Sequence, residues 1–136
     1  MLAASSSVNS EYISKSTDRN KKQIMWFVEP KDDKGIAFLK LEEFNKDIQM
    51  KMWLPAFKKV RRITAKKKGD SFMGSDLSFE DLSTRVLDDY FIIVKIFIVD
   101  IQKDHSTLVE FSNIKLDDIL NDKLFHERNL QRLPKY

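Results

Sequence analysis

The sequence contains no cysteine. Disulfide scaffolds, thiol nucleophiles, iron–sulfur clusters and cysteine zinc sites are thereby excluded. It has two histidines, His105 and His126, and no metal-ligand spacing joins them. It has three glycines, too few for the glycine-rich turns that cradle dinucleotides or phosphates. No apolar run approaches the roughly 20 residues of a membrane-spanning helix; the best, Tyr90 to Val99, is broken by Lys95. The start, Met1-Leu2-Ala3-Ala4-Ser5, lacks the basic flank and long apolar core of a complete export signal. No nucleophile elbow or base–nucleophile spacing occurs. The carboxylate pairs Asp32/Asp33, Asp88/Asp89 and Asp117/Asp118 fall at expected turns or strand ends, where solvated acids are ordinary. No catalytic residue, cofactor or metal site is expected.

A length of 136 residues, 42% of them hydrophobic and 11% aromatic, describes one folded domain with a real core. The formal net charge of +3 hides an asymmetry. Lys58, Lys59, Arg61, Arg62, Lys66, Lys67 and Lys68 follow one another with no acid between them, and the rest of the chain is net acidic. Such a run either meets phosphates or an acidic partner, or keeps a sheet edge soluble.

Residues 1–22 are polar and largely without period, and are expected to be a flexible lead-in. Strand formers fill Gln23 to Val28, and Pro30 closes that strand. Lys31-Asp32-Asp33-Lys34-Gly35 reads as a hairpin turn in which Gly35 takes a positive φ. Ile36 to Phe44 is a second strand. From Ile48 the alternation is clearest: Ile48, Met50, Met52 and Leu54 face one side and Gln49, Lys51 and Trp53 the other. A further strand follows Pro55. Ser78 is placed to cap a short helix with Asp81 as its reciprocal partner, and Gly74 to set a tight turn after Phe72. The stretch from Asp89 to Gln102 is apolar on both faces, unlike an antiparallel strand with one wet side. Thr107 to Leu116 is the last strand, and a helical turn lies between Asp117 and Phe125.

The stretch from Trp53-Leu54-Pro55-Ala56-Phe57-Lys58-Lys59-Val60-Arg61-Arg62-Ile63 to Ser71-Phe72-Met73-Gly74-Ser75-Asp76-Leu77-Ser78-Phe79-Glu80-Asp81-Leu82 resembles the outer-membrane lipoprotein-sorting (LolA-like) family. Trp26 to Lys31, Lys34 to Leu39, and the end from His105 through Leu130 fit the same family. The resemblance implies a mainly β fold: a curved antiparallel sheet, or open half-barrel, with a short helical lid over an apolar cavity. It assigns residues 23–136 to that domain, internally shortened between about 84 and 104. It also implies a periplasmic carrier of acyl lipid or lipoprotein, working between an inner-membrane exporter and an outer-membrane acceptor, with no bond chemistry and no nucleic acid.

Trp26, Phe38, Met50, Met52, Phe91 and Ile93 are the expected cavity residues. The alternation supports Met50 and Met52, and residue type supports the others. Lys58, Lys59, Arg61 and Arg62 are expected to meet anionic headgroups or an acidic partner. Phe72, Gly74, Ser78 and Asp81 are expected to be structural. The alternatives are a nucleic-acid-binding module on the basic run, a ligand-free interaction or dimerisation domain, and an inactive fragment.

Overall fold

A computed structural model of the chain describes residues 7–64, 70, 78, 95–115 and 119–132. The chain divides into two compact units, Met1–Ile63 with Ile119–Tyr136, and Thr64–Asp118.

The first unit carries a five-stranded antiparallel sheet in sequence order. Its strands are β1 (Asn9–Ser16), β2 (Lys21–Glu29), β3 (Ala37–Glu42), β4 (Gln49–Leu54) and β5 (Lys59–Arg62). Short turns join neighbours, as a meander requires. Gly35 takes φ +92 and donates its N–H to Phe27 O, which closes the β2–β3 hairpin as its sequence predicts. A Cβ there would lie 3.1 Å from Pro55 Cγ, so glycine also permits a close approach of two turns.

The period of two fixes which side chains share a face. On one face Ile13 lies opposite Ile24, Ile24 opposite Leu39, Trp26 opposite Ala37, Ala37 opposite Trp53, and Trp53 opposite Val60. Ile24, Trp26, Ala37 and Leu39 are buried there with Phe125 and Leu130 of the C-terminal segment. Burying each large side chain contributes about 1.5–3 kcal/mol.

That segment forms two 3-10 turns, Asp122–Leu124 and Glu127–Gln131. Local caps fold them. Asn121 accepts from Lys123 N, His126 Nδ1 accepts from Arg128 N, and the Asn129 amide donates to Lys123 O and Leu124 O. The Trp26 indole donates to Asn129 O at 2.9 Å. Lys15 reaches Asp122 at 2.9 Å and Lys51 reaches Glu127 at 2.8 Å. The C-terminal turns are thus the second layer of this side of the sheet.

The lead-in expected over residues 1–22 is corrected by β1, which pairs with β2 along its length. Ladder hydrogen bonds, rather than apolar periodicity, hold this mostly polar edge strand.

The second unit contains a hairpin of β6 (Lys95–Asp100) and β7 (His105–Glu110). Both faces are apolar, as the sequence implies. Ile96, Ile98 and Val109 are half-buried, while Phe97, Val99 and Leu108 are more than half exposed. The expected last strand stops at Glu110 rather than Leu116. Of the expected helix after Ser78, Ser78 alone is described; it is half-buried in an isolated bridge. Neither sheet closes on itself among the described residues.

Candidate ligand-binding face

The other face of the five-stranded sheet brings together Met25 and Phe27 of β2, Phe38 and Lys40 of β3, and Met50 and Met52 of β4. Register makes the grouping: Met25 lies opposite Phe38, Phe38 opposite Met52, and Lys40 opposite Met50. Phe27, Phe38, Met50 and Met52 are all under 9% exposed, yet they lie outside the core cluster that Phe125 and Leu130 complete. Methionine and phenylalanine make this a soft surface that adapts to irregular apolar shapes.

One end of the face is polar. Lys40, buried to 1%, holds its ammonium 2.7 Å from Glu42 Oε1. The Gln23 amide donates to the Tyr12 hydroxyl at 2.6 Å. Partial desolvation of the Tyr12 hydroxyl raises its pKa above the usual tyrosine value, and the Glu42 charge adds to the rise. Neither group stands out in the sequence, because a lysine and a glutamine in a strand read as solvent-facing. The signal available is position: Lys40 falls in the same alternating set as Phe38.

Of the expected cavity residues, Phe38, Met50 and Met52 share this face. Trp26 does not. It lies on the opposite face, in the core under the C-terminal turns. Its assignment by residue type alone ignored the register, which sets the even positions of β2 against the odd ones. Phe91 and Ile93 fall outside the described residues, as do Phe72, Gly74 and Asp81.

Lys58, Lys59, Arg61 and Arg62 are all exposed on or beside β5, the last strand of this sheet among the described residues. They do not form one patch. Arg61 lies opposite Met52, on the Phe38 face, whereas Arg62 lies opposite Lys51 on the core face. The Arg61 guanidinium sits 5.4 Å from the centroid of the Phe57 ring, a cation–π contact on an exposed aromatic. Lys58 takes φ +48 in the preceding turn. Among the described residues, no cluster of acidic or histidine side chains has a metal-binding arrangement, and no helix is long and apolar enough to cross a membrane.

Comparison with solved structures identifies the fold class. A Vibrio parahaemolyticus domain described as an outer membrane lipoprotein-sorting protein domain superposes with a TM-score of 0.83. The match covers 93% of this chain and 85% of that one, at 18% identity. The chain therefore has the LolA-like fold, mainly β, antiparallel and open. A DUF1329 family protein from Desulfovibrio piger aligns at 29% identity and a TM-score of 0.50, over 68% of this chain. The chain spans 38% of that longer protein. A family model described as "uncharacterized protein" matches residues 19–92 and 84–132, and the chain belongs to that family. No curated protein matches it.

Proposed function

We propose that the protein is a non-enzymatic carrier in the periplasm that binds acyl lipid or the acylated end of a lipoprotein and hands it on to the outer membrane. One observation carries the reading. The sheet has two apolar faces; among the described residues the C-terminal turns cover one of them, and on the other Phe27, Phe38, Met50 and Met52 are each under 9% exposed. The other, with Met25, Phe38, Met50 and Met52, is the adaptable surface an acyl chain requires. Each methylene taken from water contributes about 0.8 kcal/mol, so one chain dominates the affinity without bond chemistry. The shared fold with a lipoprotein-sorting domain supports the same assignment. The basic side chains of β5 would meet anionic headgroups or an acidic exporter or acceptor, and the stretch between about 84 and 104 would be a shortened part of the fold.

The test is titration with a fluorescent fatty acyl probe. Met52→Asp is expected to abolish binding and the milder Met52→Ala to weaken it, with the sheet signal in circular dichroism retained. Wild-type affinity in a folded Met52→Ala protein, or an absence of probe binding in the wild type, would contradict the proposal.

A second reading has its own observation. The β6–β7 hairpin exposes Phe97, Val99 and Leu108 on one side. A ligand-free interaction domain would use that side to dimerise. Sedimentation of the wild type against Phe97→Ser decides it: a dimer lost in the variant supports this reading, and a monomer in both rejects it.

A further inference from the structure

The C-terminal segment sorts its charges. Its acids turn to the sheet: Asp122 pairs with Lys15 at 2.9 Å and Lys22 at 3.8 Å, and Glu127 pairs with Lys51 at 2.8 Å. Its bases do not follow them. Lys123, Arg128 and Arg132 line a single open depression of about 340 Å³ together with Asn121, Leu124 and Asn129. Among the described residues, no acid contributes to that lining. Because the nearby carboxylates are engaged by sheet lysines, they do not neutralise the three cations.

We infer that this depression is a binding site for a phosphate group, separate from the apolar face. Three properties specify that ligand class. A phosphate monoester carries close to two negative charges at neutral pH and several strong acceptor oxygens, which suits three cations lining one depression better than one carboxylate does. Arginine presents a planar fork of donors that matches phosphate oxygens. The volume is that of roughly eleven water molecules at about 30 Å³ each, enough for the group and part of whatever bears it.

The frame is set in advance. Asn129 gives both amide hydrogens to backbone carbonyls of the first 3-10 turn, and its own carbonyl accepts the Trp26 indole. Asn121 and His126 cap the turns that present Lys123 and Arg128. Little ordering remains to oppose binding. The bearer is either a soluble phosphate compound or the headgroup of a phospholipid monoester; the same three cations serve both.

The Trp26 indole N–H reports on the site, since it bonds to Asn129 O in the lining. Its proton–nitrogen resonance, told from that of Trp53 by Trp53→Phe, is followed while pyrophosphate is added at low salt. In parallel, co-sedimentation is measured with phosphatidylcholine vesicles containing phosphatidic acid or phosphatidylserine. Saturable binding of pyrophosphate, or of phosphatidic acid vesicles over phosphatidylserine ones, is expected; the first outcome assigns a soluble bearer and the second a headgroup. Arg128→Gln with Arg132→Gln should weaken it at least about tenfold, because a hydrogen bond to a charged group contributes of that order. Both arginines are exposed, so the variant should keep its melting point. Lys59→Gln with Arg61→Gln, on the sheet edge, should leave binding unchanged. No binding in either arm, an unaffected arginine variant, an equal loss in the edge variant, or equal binding to the two vesicle types with no binding of pyrophosphate would each overturn the inference.

Discussion

Leu130 offers the sharpest test of the two-faced sheet. It is 1% exposed and packs with Phe125 against Ile24, Trp26 and Leu39. Leu130→Ala removes three buried carbons and leaves a cavity between a short turn and a rigid sheet. Such substitutions cost about 2.7–5 kcal/mol, the lower end applying where the surroundings collapse. A 3-10 turn can settle toward the sheet, so about 3 kcal/mol is expected. For a chain of this size 1 kcal/mol moves the melting temperature by roughly 3–5 °C, giving a fall near 10 °C. Urea unfolding should show a lower midpoint at unchanged slope, because the surface exposed on unfolding is nearly the same. Ile119→Ala, at an 88% exposed position of the same segment, is the control and should change stability by under about 0.5 kcal/mol. If Leu130→Ala behaves like that control, the C-terminal turns do not form the second layer. Acyl-probe binding should survive Leu130→Ala, since the other face is untouched.

Gly35→Ala should destabilise by more than about 1 kcal/mol in thermal melts, because φ +92 and the approach of Pro55 both oppose a side chain. Glu42→Gln removes the carboxylate 2.7 Å from the Lys40 ammonium and should cost about 3 kcal/mol or more in urea unfolding; Lys40→Met combined with Glu42→Leu, which replaces the whole pair, should be near neutral or stabilising. The Asp122 carboxyl is held below its usual pKa, chiefly by the hydrogen bond from Lys15 and then by the charges of Lys22 and Lys15. Its contribution to stability is therefore present above the ordinary carboxylate pKa and is lost as pH falls through the lowered value. Melting curves taken across acid pH should show a shallower acid decline in Asp122→Asn than in the wild type.

The parts of this fold that were legible in the sequence are those governed by local rules. Met50 and Met52 alternate with Lys51 and Trp53, and they are buried on one face as that alternation requires. Gly35 follows a run of charged turn residues and takes the positive φ that such a turn demands. What sequence reading missed depends on partners distant along the chain. β1 holds few large apolar residues, so it shows no strand period, and its pairing with β2 is visible only in three dimensions. Trp26 looks like a cavity residue by type, but register with Ala37 places it in the core. The C-terminal layer rests on two buried side chains, Phe125 and Leu130, within 3-10 turns too short to carry a period. Lys40 is buried because its strand neighbours are, which no property of lysine announces. The resemblance to lipoprotein-sorting proteins gave the fold correctly, because a long local motif encodes a whole topology.

The most direct test of the carrier reading is native mass spectrometry of the chain purified without detergent and exposed to a bacterial lipid extract, with the retained mass identified. The account predicts one acyl lipid or lipopeptide per chain, displaced in Met52→Asp and retained in Leu130→Ala. A folded protein that stays empty in the presence of added lipid would contradict it.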